Sequence, residues 1–321
     1  MNILERVQKI PGGLMAVPMA IAAIINTFMP SVLQLGNPLT ATFTSKGTMC
    51  VVGMMLVFTG IQIKPQQILL CLRRGGILSG IKLIIGIVSG ILIIKIFGMD
   101  GVAGISTVAW VACLTSCNPG LYIALMNDCG DKIDKVNYVL LNVIGLPFIP
   151  ICILGFANGN GIDYKSIAAT VLPLLIGMIL GGLDVKIREF SKDGVNVLIP
   201  FMGFCLGANI NLELAVQSIG KGILLFLVYI IFNLIPLYLV DTKVLKQRGH
   251  SAAAMSCVAG LAMTVPSLMS EIDTSYLQYV NEANAQLAFA VVLSAILTPW
   301  LVRKIVVNKS SKEILNNNFS V

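Results

Sequence analysis

Residues 76–97 read GILSGIKLIIGIVSGILIIKIF, an apolar run whose only charges are Lys82 and Lys95. A helix of about 20 apolar residues, rising 1.5 Å per residue, crosses a hydrocarbon core of about 30 Å. The run therefore predicts a membrane-spanning helix, and the rest of the chain resembles it. Of 321 residues 56% are hydrophobic and 12% charged, with a mean hydropathy of +0.89. A soluble domain carries roughly 25% charged residues, so the composition excludes one. Ten spans are expected, at 11–30, 46–63, 76–97, 101–127, 134–157, 166–183, 195–210, 219–240, 251–270 and 284–306. The chain reads as an all-α polytopic membrane protein.

The charges set an orientation. With the N-terminus in the cytoplasm, that side collects Arg6, Lys9, Lys64, Arg73, Arg74, Lys132, Lys135 and the clusters at 186–192, 243–248 and 303–312; the other side holds only Lys46, Lys95, Lys165 and Lys221. Retention of lysine and arginine inside places both termini in the cytoplasm. The net charge of +7 is this asymmetry, so a nucleic-acid partner is not expected; membrane lipid is. Arg6 and Lys9 ahead of an apolar stretch mimic a signal peptide, but the stretch runs on to Met29 and has a counterpart deep in the chain.

That counterpart belongs to an internal repeat. At an offset of 147, Gly60 to Ile63 falls on Gly207 to Ile210, Pro119 on Pro266 and Asn137 on Asn284; Pro18 pairs with Pro173 at an offset of 155. Five spans is an odd number, so the second copy (158–321) enters from the side opposite to the first (1–157), giving two five-helix inverted repeats. The fourth and ninth spans carry prolines amid polar residues, in Thr115-Ser116-Cys117-Asn118-Pro119-Gly120 and Thr264-Val265-Pro266-Ser267. Proline removes a backbone donor, and irregular backbone survives at that depth only against protein or a polar cavity. Helices 4 and 9 are therefore expected to be discontinuous, with free N–H groups after Pro119 and Pro266 suited to an anionic oxygen.

No carboxylate lies in the central part of any span. Lys82 is the one charge well inside a span, and it either snorkels to the surface or serves as an anion partner. Thr115, Ser116 and Asn142 offer neutral oxygens for a coupling cation. Enzymes are disfavoured: the single histidine, His250, is in a loop, and no H-E-x-x-H, G-x-S-x-G or P-loop pattern occurs. The eight cysteines form no C-x-x-C pair and read as packing residues, so neither metal nor cofactor is expected.

The motifs Lys9-Ile10-Pro11-Gly12-Gly13, Asn118-Pro119-Gly120-Leu121-Tyr122, Val171-Leu172-Pro173, Arg188-Glu189-Phe190 and Ile199-Pro200-Phe201 resemble the 2-keto-3-deoxygluconate permease family. The resemblance implies a bacterial inner-membrane symporter of a small sugar acid, coupled to protons. It also implies a superfamily shared with bile acid, arsenite and riboflavin transporters, with a panel domain of helices 1, 2, 6 and 7 and a core domain of helices 3–5 and 8–10. The substrate carboxylate would then meet Asn118, Pro119, Gly120, Thr264, Pro266 and Ser267, and its hydroxyls Gln62 and Asn209. Sodium-coupled transport of another organic anion is the alternative mechanism, and a ligand receptor without transport the alternative class.

Overall fold

The computed structural model describes residues 2–9, 13–64, 74–157, 164–208, 210 and 212–318. Among them the chain is helical without strands, apart from an isolated bridge between Val102 and Ile105. The main helices are α1 (Gly13–Phe28), α2 (Ser45–Gln62), α3 (Gly75–Phe97), α4a (Thr107–Thr115) with α4b (Pro119–Cys129), and α5a (Lys132–Ile144) with α5b (Phe148–Ala157). They continue as α6 (Tyr164–Leu183), α7 (Gly194–Gly207), α8 (Ile219–Val244), α9 (His250–Ile272) and α10 (Leu277–Asn318).

Five of these, α3, α4, α8, α9 and α10, are long and apolar enough to cross a membrane, and α5 makes a sixth if its halves, bent by 47°, form one span. That bend falls at Gly145-Leu146-Pro147, where Pro147 cannot donate into the preceding turn. The expected spans 1, 2, 6 and 7 correspond to α1, α2, α6 and α7, whose described apolar stretches are Gly13–Phe28, Lys46–Gln62, Val171–Leu183 and Gly194–Gly207. Among the described residues, five or six helices are thus long and apolar enough to cross a membrane, where hydropathy leads one to expect ten spans.

Burial sorts the long helices. In the apolar stretches of α4 and α9, 67% and 83% of residues are buried, against 33% and 22% in α3 and α8; the two interrupted helices therefore form the centre, and α3 and α8 present Ile84, Leu92, Ile223 and Ile231 outward. The short helices pack on one another, α2 against α6 and α7, and α1 against α7. Glycine allows the close approach: a Cβ on Gly60 would collide with Leu174 O, and one on Gly207 with Met19 O. These contacts are mates. Gly60 and Gly207 differ by the offset of 147, and Met19 and Leu174 by the offset of 155, that the sequence repeat gives for their respective helices.

Two π-helical turns interrupt α8, at Ile230–Leu234 and Val240–Val244, on either side of Pro236. Proline lacks the donor that would close the regular ladder, and widening the turn absorbs the defect. The first π turn carries Asn233, which is fully buried.

Candidate functional site

Helix α4 opens at Ser116-Cys117-Asn118. Pro119 starts α4b, where its missing N–H costs nothing, and Asn118 adopts an extended conformation, as residues before proline do. The Asn118 side chain then caps α4b, accepting from Leu121 N–H at 3.0 Å. The donor left at this helix start is Gly120 N–H, on an exposed residue; Asn118 and Pro119 are half-buried.

Helix α9 breaks elsewhere than the sequence suggests. Its first half ends at Met255, Ser256 to Ala259 are unwound, and a 3-10 turn over Gly260–Thr264 leads into Val265–Ile272. Pro266 therefore lies past the break, and its ring, which would crowd the carbonyl four residues earlier in an α-helix, accounts for the tighter 3-10 turn before it. The backbone donors at the break are those of Gly260 and Leu261, not those following Pro266. Met15 of α1 packs against Gly260, where a Cβ would strike its thioether, so a short helix closes onto this break.

The two breaks touch. Ala259 N–H donates to Ser116 Oγ at 2.8 Å, and neighbouring helices satisfy four of the other freed groups. Asn233 Nδ2 donates to Leu114 O at 2.9 Å and Tyr229 Oη to Ser116 O at 3.2 Å, both from α8. From α10, Thr298 Oγ1 donates to Ser256 O at 3.1 Å and Ser294 Oγ accepts from Val258 N–H at 3.0 Å. Lys82 neither snorkels nor borders open space: it is wholly buried, and its Nζ donates to Asn233 Oδ1 at 2.8 Å and Tyr229 Oη at 3.1 Å, with the Tyr229 ring 5.0 Å away.

The other expected residues are dispersed. Thr115 Oγ1 turns back onto Val111 O at 2.8 Å, and Asn142 Nδ2 onto Tyr138 O at 2.8 Å. Thr115, Ser116 and Asn142 thus have three separate partners. Thr264 is fully buried and donates to Leu261 O at 2.7 Å; Pro266 is buried and Ser267 half-buried. Gln62 donates to Arg188 O at 2.9 Å in the helix after α6. Asn209 lies outside the described residues.

Sequence reasoning missed Tyr229, Asn233, Ser294 and Thr298, yet one signal was present. Ser116-Cys117-Asn118-Pro119-Gly120-Leu121 recurs as Ser256-Cys257-Val258-Ala259-Gly260-Leu261, at an offset of 140, and this register aligns the two breaks where the proline register does not. A second missed feature lies where α3, α5a and α9 begin. Arg74 pairs with Asp131 at 2.9 Å and Asp134 at 3.1 Å and approaches Asp241 at 4.0 Å; His250 Nε2 is 3.0 Å from Asp134 Oδ2. Tyr122 Oη donates to Asp134 O at 3.0 Å beneath it. His250, read from the sequence as a loop residue, is the buried first residue of α9.

Comparison with known proteins gives this geometry its context. The sequence pattern of the 2-keto-3-deoxygluconate permease family matches residues 4–312. The chain is similar to 2-keto-3-deoxygluconate permease 1 of Salmonella typhimurium (35% identical over 308 residues, 95% of this chain and 96% of that protein). It is also similar to the 2-keto-3-deoxygluconate permeases of Bacillus subtilis strain 168 (30% over 314 residues, 95% of each chain) and Escherichia coli K12 (32% over 324 residues, 98% and 99%). These relatives are named as permeases, transporters and not enzymes, as the absence of catalytic motifs led us to expect. A multi-pass helical membrane protein matched over nearly its whole length in this way belongs to the 2-keto-3-deoxygluconate permease family.

Proposed function

We propose that the protein is a secondary active symporter that brings 2-keto-3-deoxygluconate, together with protons, across the bacterial inner membrane by alternating access, with both termini in the cytoplasm. The observation that carries this reading is the contact between the two helix breaks, Ala259 N–H on Ser116 Oγ. Interrupted helices that meet at the centre of a bundle concentrate oriented backbone dipoles there, and such sites hold small charged ligands in transporters. The substrate carboxylate sits at Gly120 N–H beside Asn118, with the donors of Gly260 and Leu261 at the start of the 3-10 turn on the other broken helix.

The mated glycine contacts, Gly60 on Leu174 and Gly207 on Met19, support ten spans in two inverted repeats. The mutual packing of α1, α2, α6 and α7 supports a panel against which a core of α3–α5 and α8–α10 moves. Two interchangeable halves give the two access states by exchanging conformations. Purified protein in liposomes, with the membrane potential clamped, tests this: labelled 2-keto-3-deoxygluconate accumulates under an inward pH gradient. Accumulation that follows a sodium gradient and ignores pH would replace the proton; no accumulation under either gradient would rule out symport.

A further inference from the structure

Lys82 is the buried charge that the reading above leaves without a task. Among the described residues no carboxylate pairs with it; its two hydrogen-bond partners, Tyr229 and Asn233, are neutral. A buried cation without a counter-anion is costly unless something opposes its charge. What opposes it here is backbone. Tyr229 and Asn233 also hold Ser116 O and Leu114 O, the carbonyls at the C-terminal end of α4a, where the helix dipole is negative. The other titratable groups acting on Nζ are the thiols of Cys113 and Cys117 on α4 and Cys257 on α9. The carboxylates and lysines of α5a, Asp131, Lys132, Asp134 and Lys135, begin that helix at the Arg74 end of α3, eight residues or about 12 Å along the helix from Lys82.

The arrangement has two poles. The C-terminal end of α4a favours a cation and carries Lys82; across the break, the N-terminal end of α4b favours an anion and offers Gly120 N–H. We propose that Lys82 is the binding site of the coupling proton, an inference that rests on the symport reading. With substrate bound, the ammonium balances the carboxylate across the break. When the carboxylate leaves on the cytoplasmic side, one Nζ–H bond breaks and the proton passes to water; the neutral amine returns and takes a proton from water on the outer side. Loaded and empty forms then both cross without net charge at the centre, and no mid-membrane acid is required. In the state seen here Nζ is out of reach of solvent, so exchange with water accompanies the rearrangement and not the resting state.

The test uses the whole protein and two readouts. In weakly buffered detergent solution with a pH-indicator dye, adding 2-keto-3-deoxygluconate to the wild type at alkaline pH draws protons from solution. Lys82→Arg keeps the charge but does not release it at accessible pH; it binds substrate without drawing protons and loses pH-driven accumulation in liposomes. Binding by the wild type with no proton uptake anywhere in the alkaline range overturns the proposal, whether or not the variant folds. So does pH-driven accumulation by Lys82→Arg equal to that of the wild type. A wild type that accumulates nothing under any gradient overturns the symport reading itself, which separates the two failures.

Discussion

Asn118 has one role in the fold and a second that we propose, and the two can be separated. Its Oδ1 caps α4b, and it stands beside Gly120 N–H, where a carboxylate is expected. Aspartate caps a helix as well as asparagine does, but it places a negative charge next to the anion. Asn118→Asp should therefore leave the melting temperature of the ligand-free protein nearly unchanged while weakening 2-keto-3-deoxygluconate binding by roughly 10-fold to 150-fold, the equivalent of about 1.5–3 kcal/mol. Calorimetric titration beside a thermal melt checks both halves. Thr264, equally prominent in the sequence, is turned onto Leu261 O, so Thr264→Ala should cost little binding. Arg74 presents the opposite case, a structural charge. It neutralises Asp134 and Asp241, whose side chains are 1% and 0% exposed, so Arg74→Gln strands buried carboxylates and should cost about 3–5 kcal/mol. Asp241→Asn removes one of those charges and should cost less in the same denaturation experiment.

At the scale of helices, the glycine contacts make a paired prediction. Gly60→Ala drives a methyl into Leu174 O and Gly207→Ala drives one into Met19 O, whereas Gly53, on the same helix as Gly60, has open space where its Cβ would be. Overpacking of this kind costs about 1–3 kcal/mol. Gly60→Ala and Gly207→Ala should each lower the melting temperature, and Gly53→Ala should leave it unchanged or slightly raised. Equal melts for all three would mean that the close approaches do not hold the short helices together. The same helices show what a sequence can and cannot disclose. The break in α4 was legible because Pro119 removes a donor locally, whatever surrounds it. The break in α9 was misplaced because nothing between Ser256 and Ala259 forbids a helix; that segment is held open by Ser116, Ser294 and Thr298, which are remote in sequence. The partners of Lys82 were illegible for a similar reason: Asn233 faces it from a π-helical turn, and a register based on 3.6 residues per turn does not foresee the shift.

At the scale of the whole molecule, the site we propose lies where the two broken helices meet and opens to one side of the membrane at a time. Hydropathy made the multi-pass membrane class readable in advance, because it is a property summed over many residues. Which face of the crossing is open depends on packing between halves, and that has no signature in composition. Gly120 allows a direct measurement. It is exposed, and the nearest atom to a Cβ built there is Asn118 Oδ1 at 3.5 Å, so a small side chain fits. In a protein whose native cysteines have been replaced, Gly120→Cys should react with a membrane-impermeant maleimide, and 2-keto-3-deoxygluconate should slow the reaction in a saturable way, with half-protection at the concentration that half-saturates binding. A labelling rate that stays the same at saturating 2-keto-3-deoxygluconate would contradict the account and place the substrate away from the crossing.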